Sequence, residues 1–261
     1  MQLKDEKYKN YEQEDSMEFC RSFLGQMSDE LSIGNKVKQK LEYESLNFDN
    51  MSLLESYRTF KDNINQRENS IITNIFNVNI INTCECQFCK YKSISYQPEL
   101  GLILSLKNRN KVIELQEIIE QNFEEEIVDK QCEKCKKGKK AKNSKKICEL
   151  PEILLLSIQE KIQDTFPITI NKELNLEKYI SNELIANSNS KYELISIINH
   201  QGTHEKAIII HLLTFRMNGI NLVMIKLKNY HPIIISIIML IFPFTNLKKM
   251  MKKIEKYSLK N

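Results

Sequence analysis

Two Cys-x-x-Cys pairs, Cys86/Cys89 and Cys132/Cys135, stand far apart in the chain. Each pair puts two thiols on one tight turn, and two such turns supply the four sulfurs of a tetrahedral Zn²⁺ site. Any fold open to this chain must therefore bring both turns to one point. The expectation is a structural zinc module inside a larger domain, with Cys86, Cys89, Cys132 and Cys135 as ligands. Cys84 could replace Cys86, but a Cys-x-Cys spacing makes a poorer hook. The competing reading, four buried thiols without a metal, is weakened by both hooks being intact.

The cysteines are read as ligands because of the compartment the sequence implies. Residues 1–15, MQLKDEKYKNYEQED, are charged and contain no apolar stretch that could act as a signal peptide. The reducing cytoplasm or nucleus is the expected location, where seven cysteines serve as metal ligands and buried thiols rather than as a disulfide framework. Cys20, Cys84 and Cys148 are expected to be small buried hydrophobes. With 261 residues, 41% of them hydrophobic, there is material for one large domain or two small ones. The 38 basic and 34 acidic side chains nearly cancel to a formal charge of +4, so no global field for nucleic acid exists.

Periodicity places the elements. Phe19, Phe23, Leu24, Met27 and Leu31 recur at helical steps between Asp15 and Ile33, and Gly34 is a natural stop. Residues 35–67 read as a long connection or a short exposed helix. Residues 69–84 are rich in Ile, Val, Thr and Phe and read as a strand pair, or as a short helix followed by a strand. Leu100–Leu106 is a strand. Val112, Leu115, Ile118, Ile119 and Phe123 form one helical face. Residues 149–159, ELPEILLLSIQ, are a buried strand entered through Pro151, and residues 191–199 are another, with Tyr192, Leu194 and Ile198 on one face. The lysine-dominated stretch Lys134–Lys146 lacks interleaved aromatics and overlaps a hook, which favours a solvated hairpin tip over a nucleic-acid contact.

In this order the pieces resemble the ubiquitin-specific proteases, the papain-like cysteine deubiquitinases. Gln13-Glu14-Asp15-Ser16-Met17-Glu18-Phe19 is similar to that family's Gln-Gln-Asp-Ala-x-Glu-Phe box, and the two hooks resemble the zinc ribbon of its fingers. Leu150-Pro151-Glu152-Ile153-Leu154 resembles its Leu-Pro-x-x-Leu strand. Tyr192 to Gly202, YELISIINHQG, resembles its approach to the catalytic histidine. Glu14 and Gln159-Glu160-Lys161 depart from the pattern.

The resemblance implies an α+β, papain-like cysteine protease fold. A remnant helical thumb would occupy residues 1–75, fingers with a zinc ribbon 76–150, and β-rich palm strands 151–206. It also implies thiol-dependent hydrolysis of ubiquitin conjugates, ubiquitin as partner, and Gln13, Asp15 and Glu18 as contacts to ubiquitin's C-terminal tail. Asp15 and Glu18 share a helix face, where carboxylates also cap the helix and suit its dipole. The alternative class is a non-catalytic ubiquitin-binding scaffold.

The chemistry needs a thiolate, an imidazole beside it and oxyanion donors. The family's Gly-Asn-Thr-Cys box belongs well upstream of Gln13, which only twelve residues precede, so truncation and an inactive polypeptide are expected. Cys20, inside a helix, is not the nucleophile. His200 reads as a strand-end residue. His200 and His204 look like catalytic candidates only in isolation; stretching the loop would make His211 the base, but it does not sit in the expected Gly-His-Tyr setting.

The genetic code suggests why. Read from the third base of each codon, Lys206 to Leu212 permits Gly-His-Tyr-Tyr-Ser-Phe, and Met217 to Ile225 permits Glu-Trp-x-x-Phe-x-Asp-Asp, with the Glu and the last Asp forced by the two methionine codons. Residues from about Ala207 to Asn261 are therefore expected to be out of frame. The apolar stretch HPIIISIIMLIFPF at 231–244, followed by Lys248 and Lys249, is shorter than the roughly 20 residues of a bilayer span. Neither membrane nor nucleic acid is an expected partner.

Overall fold

Helices dominate the first part of the chain and strands the rest. The computed structural model describes residues 16–32, 46, 48–107, 112–159, 168–184, 190–203, 206–213, 216–217, 220–221 and 237–243, with side chains described from Met17 to Ile197. Helices α1 (Ser16–Leu31), α2 (Leu53–Arg67) and α3 (Ile71–Phe76) precede β1 (Asn77–Cys86), β2 (Lys92–Leu100) and β3 (Leu102–Ser105). A short β4 (Ile113–Glu114) leads into α4 (Leu115–Phe123), followed by β5 (Glu126–Asp129), β6 (Lys140–Glu149) and β7 (Leu154–Gln159). Then come β8 (Ile168–Thr169), β9 (Glu173–Asn175), β10 (Lys191–Thr203), β11 (Lys206–Leu213), β12 (Arg216–Met217), β13 (Ile220–Asn221) and β14 (Ile237–Pro243).

Two sheets organise the molecule. A four-stranded sheet runs β2-β1-β6-β5, every described pair antiparallel. A six-stranded sheet runs β11-β10-β14-β7-β3, with β9 also on β10. In it only β3 and β7 pair in parallel, and the connection between them carries α4 and the second hook. The four-stranded sheet is thus assembled from two separated pieces, β1–β2 and β5–β6, while β3, lying between them in sequence, pairs in the six-stranded sheet and α4 packs in the main core.

The chain passes from the four-stranded to the six-stranded sheet at two points. At Gly101 the backbone turns with φ +78 between β2 and β3, and a Cβ there would meet the Leu155 Cβ and carbonyl oxygen at 2.5 Å. Only glycine satisfies both demands. The second crossing follows β6 through buried Pro151, whose carbonyl accepts the Tyr192 hydroxyl at 2.9 Å.

β7 shows why LLLSIQ is nearly continuous in hydrophobicity: it is buried on both faces. Leu154, Leu156 and Ile158 join Leu102 and Leu104 of β3, Ile118 and Ile119 of α4 and Val78 and Ile80 of β1 in the main core. Leu155 points the other way, onto Met17 of α1, with Cys20, Leu24, Phe76 and Leu100 around it.

Two helices differ from the sequence expectation. Residues 35–67 contain a full helix, α2, and its face of Ser56, Phe60 and Ile64 is buried on Ile81, Tyr96 and Cys148 of the finger sheet. On α1 the inward stripe is Met17, Cys20 and Leu24, whereas Phe19 and Leu31 are exposed at 37% and 46%. The docking is set by Met17 on Leu155 and by the Ser28 hydroxyl, 2.8 Å from that of Ser70 ahead of α3. Phe19 instead stacks on Phe23, ring centroids 5.9 Å apart. Val112 likewise lies outside α4's buried face, 56% exposed.

Candidate metal centre

The same short loop is built twice. At the first hook the Cys86 amide donates to the Tyr91 carbonyl at 2.9 Å, and the Lys90 amide to the Cys86 carbonyl at 3.0 Å. At the second, the Cys132 amide donates to the Gly138 carbonyl at 2.9 Å, and the Lys136 amide to the Cys132 carbonyl at 3.0 Å. The residue after the second cysteine of each hook, Lys90 and Lys136, is left-handed, with φ of 61 and 56.

Sheet register brings the hooks together. β1 and β6 pair with Cys86 opposite Ala141, and the Gln87 amide donates to the Lys140 carbonyl at 3.0 Å. All four Sγ atoms of Cys86, Cys89, Cys132 and Cys135 lie within 4.8 Å of one another. Cys86–Cys135 and Cys89–Cys132 are 4.0 and 3.6 Å apart. Four sulfurs at a Zn–S length of about 2.3 Å in a tetrahedron have edges of about 3.8 Å, which these two distances bracket. They are far longer than the roughly 2.05 Å of a disulfide. The donor set and its spacing fit one Zn²⁺.

Gly138 serves the cluster through its backbone. A Cβ there would overlap Cys86 Sγ and stand 3.3 Å from the Phe88 Cβ, while its amide donates to Cys135 Sγ at 3.3 Å. That amide, foremost, holds the Cys135 thiol down at about 6. The Cys89 amide lowers Cys86 in the same way. Cys89 goes the other way, up to about 11: the Tyr91 amide pulls it down, but desolvation and the surrounding thiolates outweigh that pull. Four thiols in one small space cannot all ionise alone, and a divalent cation removes the conflict.

The other cysteines have structural settings. Cys148 is buried, its thiol pushed up to about 12 by desolvation, and it donates to the Asn79 carbonyl at 3.2 Å. Cys84 donates to Asn143 Oδ1 at 3.3 Å and is not one of the converging four. Half-buried Cys20 is raised by desolvation, opposite to what a nucleophile needs.

Of the tail-binding candidates, Glu18 is exposed in the first turn of α1, while Gln13 and Asp15 lie outside the described residues. The backbones of His211 and His200 sit on paired strands, opposite Ile198 and Ile209 respectively. Sequence reasoning missed the role of Gly138, for which Cys135-x-x-Gly138 was the available signal. It also missed Glu149, which accepts from Lys61 Nζ at 2.5 Å, Tyr57 at 3.1 Å and Asn79 beneath α2. No local motif announces that network.

The chain is similar to known ubiquitin carboxyl-terminal hydrolases. The Drosophila melanogaster ubiquitin carboxyl-terminal hydrolase Usp2 is 28% identical over 210 residues, covering 75% of this chain and 21% of that protein. The Bos taurus ubiquitin carboxyl-terminal hydrolase 2 is 24% identical over 213 residues, covering 76% and 34%. The chain thus spans about a fifth to a third of the curated relatives it matches.

Among solved structures, a chain of the yeast SAGA DUBm with mutant Sgf73 superposes with a TM-score of 0.60 at 17% identity, over 87% of this chain and 50% of that one. A SAGA DUB module of Ubp8, Sgf11, Sus1 and Sgf73 bound to monoubiquitin gives 0.50 at 19%, over 72% and 48%. These share the fold, which is papain-like and mixes helix and sheet. The sequence model of the family described as ubiquitin carboxyl-terminal hydrolase matches residues 1–207. The chain belongs to the ubiquitin carboxyl-terminal hydrolase family.

Proposed function

We propose that this chain is the ubiquitin-gripping part of a cysteine-type deubiquitinase. Its zinc-pinned fingers hold ubiquitin, and the exposed face of α1 that carries Glu18, with Gln13 and Asp15 before it, meets ubiquitin's C-terminal tail. The observation that carries this reading is the convergence of the four Sγ atoms at the tips of two finger hairpins in a member of this family. The related module bound to monoubiquitin supports ubiquitin as the partner. Zn²⁺ would be held by Cys86, Cys89, Cys132 and Cys135 and would supply only cross-linking of the two tips. Seven free cysteines suit the reducing cytoplasm or nucleus. Among the described residues no helix is long and apolar enough to cross a membrane.

The polypeptide as written does not hydrolyse ubiquitin conjugates in this reading. Cys20, Cys84 and Cys148 each have packing or hydrogen-bond roles, and the remaining four cysteines are the hooks. A ubiquitin derivative with a thiol-reactive electrophile at its C-terminus is the test. It is expected to leave every cysteine unlabelled, and a covalent adduct on any of them would overturn the reading.

The family match ends at residue 207, where the alternative frame begins to permit Gly-His-Tyr, and this supports a frame change there. β14, an Ile-rich tail segment, sits between β10 and β7. A β-branched stretch suits a central strand in any frame. Sequencing the transcript across Ala207 is expected to reveal the shifted frame. An intact frame without GGC-CAT in the alternative reading would remove the idea.

A further inference from the structure

The fingertip differs in charge from the rest of the chain. Residues 130–142 hold seven lysines and one glutamate, whereas the whole chain carries only +4, so everything outside this loop is net negative. A Zn²⁺ held by four thiolates contributes roughly two negative charges, which leaves most of the lysine charge uncompensated. Charge balance of the metal centre therefore accounts for only part of it.

Five of the seven lysines are also without an ion pair among the described residues. Lys142 pairs with Glu125 at 2.6 Å, and Lys134 lies over the Tyr91 ring at 5.1 Å. Lys130, Lys136, Lys137, Lys139 and Lys140 are exposed, and their ammonium groups have no ion pair among the described residues. The sequence alone shows no aromatic within this run, but the fold supplies one from the other hook. Phe88, between Cys86 and Cys89, is 67% exposed and stands against Gly138, the centre of the lysine loop. An exposed aromatic beside a loop of exposed ammonium groups is a poor solvent surface and a good docking surface.

We infer that the fingertip, with Phe88 beside the Gly138 loop that carries Lys137, Lys139 and Lys140, docks an acidic protein segment that carries an apolar side chain. The ammonium groups take the carboxylates and Phe88 takes the apolar anchor. Single-stranded nucleic acid fits less well, because its recognition uses successive aromatic platforms and here Tyr91 is tied to the Asp49 carboxylate and covered by Lys134. The loop's cations are all lysines, point charges with no guanidinium fork, which suits scattered carboxylates.

Fluorescence anisotropy tests this on the full chain with its zinc content measured. The probes are a fluorescein-labelled peptide of alternating Glu and Leu, a polyglutamate peptide and an oligothymidylate. The Glu/Leu peptide is expected to bind, and to weaken steeply as NaCl rises from about 50 to about 300 mM. Lys137→Glu/Lys139→Glu/Lys140→Glu should weaken it at least about tenfold. Phe88→Ser should weaken the Glu/Leu peptide without changing polyglutamate binding. Equal binding by the triple variant at unchanged zinc content overturns the proposal, as does tighter binding of oligothymidylate than of either peptide. If charge reversal lowers the zinc content, the triple Lys→Gln variant decides by the same criteria.

Discussion

Gly138 shows how one residue can be required by its missing side chain and its amide at once. A Cβ would overlap Cys86 Sγ, and its N–H stabilises the Cys135 thiolate. Gly138→Ala is expected to lower zinc affinity by about 10–100-fold, read by competition with a chromophoric chelator; unchanged affinity would remove Gly138 from the centre. Lys90 and Lys136 have the opposite relation to their backbone, because each is a side-chain-bearing residue at positive φ. Lys90→Gly should therefore stabilise the chain by about 0.5–1 kcal/mol, seen as a higher urea midpoint with the zinc site intact. The pH dependence follows from the same amides. Cys135 is depressed to about 6 from its ordinary value near 9, so its thiolate contributes stability above pH 9 that is lost as pH falls through about 6. Zinc binding also needs thiolates, so release should steepen below about pH 6. Release that is flat from pH 8 to pH 5, followed with a zinc-sensitive dye, would contradict this.

At the scale of elements, the finger sheet is held on one side by α2. Phe60 is 1% exposed and stacks on Tyr96 at 4.9 Å, while the Tyr96 hydroxyl lies 2.8 Å from that of Ser56. Phe60→Ala should cost about 3–5 kcal/mol in urea denaturation, and a cost under about 1 kcal/mol would show that α2 does not pin the sheet. This contact also shows where the sequence stops being legible. The hooks were readable because metal ligation constrains local spacing, and β7 because burial on both faces leaves a continuous apolar run. α2 was not, since its buried stripe is only Ser56, Phe60 and Ile64 in an otherwise polar helix. The face of α1 was misjudged for a related reason: two apolar stripes were present, and the choice of Met17-Cys20-Leu24 over the one with Phe19 depended on Leu155, far along the chain. The separation of β1–β2 from β5–β6 by a palm strand and helix was equally invisible, because strand pairing is not encoded in periodicity.

For the whole molecule, two antiparallel hairpins, β1–β2 and β5–β6, pair through β1 and β6, and their tips meet at four sulfurs. One antiparallel pair, β1–β6, aligns both tips. The glycine at 101 and the proline at 151 mark where the chain passes between the two sheets, so the cysteine cluster and the main core are joined by the strands themselves. In the proposed reading the cross-linked tips hold ubiquitin, which ties metal occupancy to ubiquitin binding. The most direct measurement is a titration of isotopically labelled ubiquitin, followed by NMR, with the zinc-loaded chain and with its Cys135→Ser variant. The account predicts ubiquitin resonance shifts that saturate with the zinc-loaded chain and shrink or vanish with the variant; equal shifts with both, or none with the zinc-loaded chain, would contradict it.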